Sequence, residues 1–124
     1  MSSSKPFNVS SLPRFEKELA KIISKYPAFR LEFDNFKETL KNNPEQGNHL
    51  GSGVYKVRLE IPGKPAGKSY GARVIQAIFT VSNEVLLMLI YDKSDIRSLT
   101  KAQEAEFRKL ANELREQRKA KRKN

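Results

Sequence analysis

The sequence contains no cysteine, so neither a disulfide framework nor thiolate ligation of a metal is available, and a reducing cytoplasm suits it. A single histidine, His49, is too little for a histidine metal cluster, and no cofactor is expected. No run approaches the ~20 apolar residues that a bilayer-crossing helix needs. The start, Met1-Ser-Ser-Ser-Lys5-Pro6, has no apolar core behind its charge, so the expectation is a soluble, cytoplasmic protein with no membrane partner. With 124 residues the chain suits one domain with one modest core.

Negative charge is scarce too. Asp and Glu number 14 against 24 Lys and Arg, a net charge of +10. The excess falls in two places. Residues 115–124 hold six Lys/Arg and one Glu, and residues 51–93 hold six Lys/Arg and three Asp/Glu. Such charge favours a polyanionic partner, nucleic acid first, because each phosphate contact releases condensed counterions. The plainer reading is a solvated charged surface that keeps the protein in solution.

What is present is organised around residues 53–93, which read as three antiparallel strands. In the first, Tyr55, Val57, Leu59 and Ile61 alternate with Lys56, Arg58 and Glu60, so a period-two pleat buries the former and turns Lys56 and Arg58 to the opposite face. Ser82-Asn83 suits a tight turn joining the second strand to the third, because Asn tolerates positive φ. The third, Val85 to Ile90, is apolar without alternation, as expected of a central strand covered on both faces. The connection from Pro62 to Gly71 is rich in breakers and carries Lys64 and Lys68. Gly67-Lys68-Ser69 resembles the end of a phosphate-binding P-loop, but position 62 is Pro where the motif needs Gly, and a strand follows where it needs a helix. A basic loop beside a cationic strand face could track a nucleic-acid backbone instead.

Before the strands, Phe7 to Val9 reads as a short edge strand. Ser11 as N-cap and Pro13 in the first turn open a helix with Phe15, Leu19, Ile22 and Ile23 on one face. Tyr26-Pro27 interrupts it, and Phe29, Phe33, Phe36 and Leu40 define a second helix that Asn42-Asn43-Pro44 stops. The phenylalanine stripe is assigned to core packing. Gln46 to Ser52 reads as a loop, with His49 a solvated side chain outside the site. After the strands, Thr100 and Gln103 form a capping box, and Phe107, Leu110, Ala111 and Leu114 give a last amphipathic helix. Beyond Leu114 the apolar face ends, so the domain is drawn as 1–114 and residues 115–124 as a basic tail, an exposed, frayed helix or disordered, that adds nothing to packing. The fold class is therefore α+β: an N-terminal helical hairpin on a small, twisted, mainly antiparallel sheet, then a C-terminal helix.

Three segments carry a family resemblance. Residues 50–59 (Leu-Gly-Ser-Gly-Val-Tyr-Lys-Val-Arg-Leu), 67–75 (Gly-Lys-Ser-Tyr-Gly-Ala-Arg-Val-Ile) and 86–94, ending Ile-Tyr-Asp-Lys-Ser, together resemble the RelE/ParE superfamily of bacterial type II toxins, HigB-like branch. The likeness covers roughly residues 7–110 and leaves the basic tail outside. It implies a small α+β toxin, monomeric or bound to a cognate antitoxin in a hetero-oligomer. The RelE-like members cleave messenger RNA in the ribosomal A site without a metal, whereas ParE-like members poison DNA gyrase. Carried over by position, the family's cationic pair on the first strand matches Lys56 and Arg58, and its second-strand arginine matches Arg73. Tyr91, Asp92 and Lys93 occupy the segment whose polar groups take part in HigB-like members. Where the RelE type places a further arginine this chain has Ser94, and no tyrosine follows Tyr91, so stacking or proton transfer falls to Tyr91 or is absent.

The implied catalytic set is Lys56, Arg58, Arg73, Tyr91 and Lys93. Attack by a ribose 2′-OH passes through a dianionic phosphorane that fixed cations stabilise. Arginine stays protonated, so Arg58 and Arg73 suit charge stabilisation, Lys56 is the candidate base, and Lys93 or Tyr91 the candidate acid. Lys64, Lys68, Arg115, Arg118, Lys119, Lys121 and Arg122 are the candidate RNA contacts. Without the resemblance, Lys56, Arg58 and Arg73 read first as ordinary exposed strand cations paired with Glu60 and Glu84, because any half-exposed strand shows alternating charge. Three classes stay open: a ribosome-dependent endoribonuclease, a gyrase inhibitor, and a noncatalytic RNA- or antitoxin-binding module.

Overall fold

The computed structural model describes residues 5–64, 70–96 and 98–123. Eight elements follow in chain order: β1 (Asn8–Ser11), α1 (Pro13–Lys25), α2 (Phe29–Asn42), β2 (Asn48–Gly51), β3 (Val54–Leu59), β4 (Ala72–Phe79), β5 (Glu84–Asp92) and α3 (Lys101–Lys123). The five strands make one mixed sheet in the order β1-β5-β4-β3-β2, with β1 parallel to β5 and the other pairs antiparallel. Three helices on a mixed five-stranded sheet make the class α+β.

Both faces of the sheet are covered, which is why β4 is buried along its whole length. On one face Phe15, Leu19 and Ile22 of α1 and Phe29, Phe33, Phe36 and Leu40 of α2 form a core with Val57, Leu59, Val74 and Leu87. On the other, Phe107 and Ala111 of α3 pack on Val54, Ile75, Ala77, Phe79 and Met88. The phenylalanine stripe is thus core, its rings tilted against one another at 5.7–6.4 Å.

Several local details differ from the sequence reading. The middle of the sheet is β4; β5 is internal only because the four-residue β1 pairs outside it. The run Leu86–Ile90 lacks alternation partly because of a bulge: Gln76 pairs Leu87 and Ile75 pairs Leu89, so Met88 is the extra residue. Residues 48–51, read as loop, are strand β2, paired with β3. The turn between β4 and β5 spans Thr80–Asn83 and not two residues, with Asn83 at φ +57. Leu12 and not Ser11 caps α1, and the Ser11 hydroxyl donates instead to the Glu16 carboxylate. The capping box is present, Thr100 N–H donating to Gln103 Oε1 at 2.8 Å and Gln103 N–H to Thr100 Oγ1 at 3.1 Å.

Of the two expectations for the basic tail, a helical extension is the one found, but it is not without packing. It runs to Lys123, because Arg115 and Arg118 replace the apolar stripe with guanidinium groups laid over the buried Phe79 ring, at 5.3 and 4.5 Å from its centroid. Among the described residues no helix is long and apolar enough to cross a membrane.

Candidate functional site

Strand register brings three of the candidate residues into one row. Arg58 on β3 lies directly opposite Arg73 on β4, and Arg73 directly opposite Tyr91 on β5. Directly paired residues share a face, and here it is the face that α3 covers, since Ile75 and Tyr91 belong to the core beneath that helix. Lys56, two residues before Arg58, points to the same side. Access is graded along the row: Arg58 is exposed, Lys56 half-buried, and Arg73 and Tyr91 each only 5 % exposed.

That burial sets the electrostatics. Loss of solvent, and after it the charge of Arg58, pushes the Arg73 pKa down, while Tyr91 pulls it back up. Burial likewise raises the Tyr91 pKa; Arg73 opposes the shift and Glu104 adds to it, so the phenol is neutral at physiological pH. The Arg73 Nη1 donates to the Ala72 carbonyl at 3.3 Å. Two guanidinium groups on directly paired positions repel one another, a cost that a bound anion removes. Lys56 and Arg58 also line a surface groove of about 510 Å³ with Gln46, Gly47 and Asn48. Gly47, at φ +84, permits this close approach, since a Cβ there would collide with the Lys56 carbonyl oxygen. Lys93 follows Tyr91 by two residues; it is half-buried, and its N–H donates to the Gly71 carbonyl at 2.9 Å. The structure thus groups Lys56, Arg58, Arg73 and Tyr91, with Lys93 at the end of the same strand.

Tyr91 cannot offer a stacking face, because its ring is packed under α3. The expected cationic loop also changes character. Lys64 Nζ donates to Asp92 Oδ1 at 2.6 Å and to the Ser94 hydroxyl, and lies 5.5 Å from the centre of the Tyr26 ring. With side chains 7 % and 5 % exposed, Lys64 and Asp92 form a buried ion pair, not a surface cation awaiting phosphate. Burial pushes the Asp92 carboxyl up, but the Lys64 and Ser94 hydrogen bonds and the Lys64 charge outweigh it and leave the pKa lowered. Lys68 lies outside the described residues, as does the side chain of Arg122.

Two tail arginines are structural as well. Arg115 Nη2 donates to the carbonyls of Ser52 at 2.7 Å and Ile78 at 3.2 Å. Arg118 Nε donates to Glu84 Oε1 at 2.5 Å. Burial raises the Glu84 pKa, yet hydrogen bonds from Arg118 and Ser82 and the charges of Arg118 and Lys121 leave it lowered overall. The expectation that both arginines stand free for RNA is therefore corrected: each is spent on the sheet. Lys119 and Lys121 are exposed, Lys119 only in a surface pair with Glu116.

His49 has a local role. Its Nε2 accepts from the Gly53 N–H at 3.2 Å and its ring stacks on Tyr55 at 4.7 Å. The sequence reading passed over Tyr70, which stands 54 % exposed just before β4. Only its aromatic type, near a run of cations, could have flagged it. Among the described residues no His, Asp and Glu group is arranged to hold a metal ion.

A family model described as the RelE toxin of the RelE/RelB toxin-antitoxin system matches residues 34–123. The match runs from α2 through the end of α3, so the basic segment lies inside the family's domain and not outside it as expected. Among solved structures, an arginine-to-alanine double mutant of E. coli toxin RelE in the free state is similar with a TM-score of 0.54 at 14 % identity, over 74 % of this chain and 88 % of that one. At that identity the likeness speaks for the fold. No curated protein matches the sequence significantly. A model match over most of the chain, on an α+β frame whose strands align a cationic row, leaves one assignment: the chain belongs to the RelE family and is the toxin of a type II toxin-antitoxin system.

Proposed function

We propose that this toxin is an endoribonuclease that cuts messenger RNA on the ribosome, and that a RelB-like antitoxin restrains it. The observation that carries the reading is the direct pairing of Arg58 with Arg73, flanked by Lys56. Like charges on directly paired strand positions repel, and an anion held against them relieves that repulsion. In the proposed step the ribose 2′-oxygen attacks the adjacent phosphorus. The bond to the 5′-oxygen breaks, leaving a 2′,3′-cyclic phosphate and a free 5′-hydroxyl. Lys56 takes the 2′-hydroxyl proton, and Lys93 gives one to the departing 5′-oxygen. Arg58 meets the charge that develops on the phosphorane, and Arg73, behind it, adds to the positive potential. Tyr91, buried directly opposite Arg73, does not stack. Among the described side chains of the tail, Lys119 and Lys121 are the cations left to contact ribosomal RNA.

The test adds purified toxin to ribosomes programmed with message, to free message, and to a gyrase supercoiling reaction. Ribosome-bound message should be cut. Arg58→Ala, at an exposed position, should melt with the parent and cut on the order of 10²–10³-fold more slowly, as for loss of one oxyanion donor. Lys56→Arg puts a permanent cation there that cannot act as a base, and should be slow too. Inhibition of gyrase without cleavage would overturn the reading.

A further inference from the structure

Among the described residues the buried polar side chains are Arg73, Asp92 and Gln76. Arg73 belongs to the cationic row and Asp92 to the Lys64 ion pair; Gln76, fully buried in β4, belongs to neither. It sits between Tyr55 and Leu87, on the face of the sheet that α1 and α2 cover. Its Nε2 donates to the Pro44 carbonyl at 3.0 Å, and its Oε1 has no hydrogen-bond partner among the described residues. A buried polar atom left unpaired costs stability. Nor does Pro44 need the amide, because its carbonyl already accepts from Gln46 N–H at 2.9 Å. A methionine would fill the same space and leave no oxygen stranded. For stability alone glutamine is a poor choice here; what it gains is a grip on the connection between α2 and β2.

That connection leads to the site. The Gln46 Nε2 donates to the Asn43 carbonyl at 2.8 Å and to the Thr39 hydroxyl at 3.0 Å, so the segment is tied to the end of α2 as well as to β4. The next residue, Gly47, lies so close to β3 that an added Cβ would collide with the Lys56 carbonyl oxygen. Gln46 and Gly47 line one side of the groove, and Lys56 and Arg58 the other. In a close-packed contact of this kind a shift at Pro44 is passed on to the backbone of Lys56.

We propose that Gln76 is a positioning residue for cleavage: by holding Pro44 it keeps the Gln46–Gly47 wall against β3 and so fixes Lys56 where the 2′-hydroxyl arrives. This rests on the endoribonuclease reading and adds to it a residue that touches no RNA, acting from the opposite face of the sheet.

The experiment measures single-turnover cleavage by the full chain on programmed ribosomes, separating the rate at saturation from the half-saturating ribosome concentration, with thermal melts alongside. Gln76→Met should melt at or above the parent and keep the half-saturating concentration. At saturation it should cut on the order of 10- to 100-fold more slowly, the scale for a misplacement of about 1 Å. Gln46→Ala, which removes the other tie, should show the same split. The double variant should be no slower than the slower single, because both act through one segment. Exchange of the Gln46 amide hydrogen reports the grip without catalysis and should be faster in Gln76→Met. Should Gln76→Met melt below the parent, Gln46→Ala, at a half-buried position, decides in its place. Parental cleavage by Gln76→Met, a loss confined to the half-saturating concentration, unchanged Gln46 exchange, or losses that multiply in the double variant overturn the positioning role and leave the endoribonuclease reading standing. A parent protein that cuts no ribosome-bound message brings both down.

Discussion

Replacing Arg115 with alanine tests whether the last turns of α3 belong to the fold. The guanidinium makes two charged hydrogen bonds to the backbone, at Ser52 and Ile78, and a third to Asn112 Oδ1 at 2.9 Å, while lying over Phe79. It thereby ties α3 to the β2–β3 turn and to β4. Hydrogen bonds to a charged group are worth about 1.5–3 kcal/mol, and a cation–π contact about 0.5–1 kcal/mol. Counting one such hydrogen bond in full, because the group is only half-buried and the bonds from one guanidinium do not add, Arg115→Ala should cost about 2–4 kcal/mol with the ring contact. A domain of this length loses about 3–5 °C of melting temperature per kcal/mol, which gives a drop of roughly 6–20 °C. Circular-dichroism melts, with urea titration to confirm an unchanged m-value, would measure it. Arg115→Lys should recover less than half, since an ammonium cannot fork between two carbonyls. Lys119→Ala, at an exposed i,i+3 pair, should change stability by less than about 0.5 kcal/mol. An Arg115→Ala protein melting within about 2 °C of the parent would show that these contacts hold nothing. Truncation after Leu114 removes Arg118 as well and should be worse still.

Lys64→Met strands the Asp92 carboxylate, 5 % exposed, without its cation and should cost about 3–5 kcal/mol; adding Asp92→Leu should restore most of it, and a double variant no better than the single would refute the ion-pair account. Acid should act at the same places. Asp92 and Glu84 both titrate below their ordinary values of 3.8 and 4.5. Their contribution is thus whole above about pH 4.5, and is lost as pH falls through the lower folded values, because the unfolded chain takes up protons first. Melting temperature against pH should show that acid limb, and the limb should be shallower in Lys64→Met, where Asp92 has lost the cation that holds its pKa down; an identical limb in both proteins would refute the assignment.

What could be read from the sequence was whatever a local pattern encodes. The alternation from Tyr55 to Ile61 gave β3 and the common face of Lys56 and Arg58, and Thr100 with Gln103 marked the start of α3. Nothing local marks Asn48–Gly51 as strand, because its only support is pairing with β3. Lys64 looked like a loop cation because its partner, Asp92, comes 28 residues later, and Arg118 looked free because Glu84 lies 34 residues earlier. An apolar-stripe criterion is blind to arginines that pack by their stems and planes on a ring such as Phe79. The cation types of the site were legible; the register placing Arg73 between Arg58 and Tyr91, and the burial that rules out Tyr91 as a stacking platform, were not.

The topology bears on when this protein comes into being. β1, made first, has its sheet partner in β5, so Asn8 cannot meet Glu84 until most of the chain has been synthesised. Glu84 in turn is clamped by Arg118, 34 residues later. The order of synthesis and the order of closure therefore run against each other, and the loop entropy spent in joining the two ends is repaid only by the final turns of α3. A nascent chain halted at the end of β5 carries every residue of the cationic row, yet lacks the helix that covers that face of the sheet. Such a domain closes only after the last turns of α3 have been made.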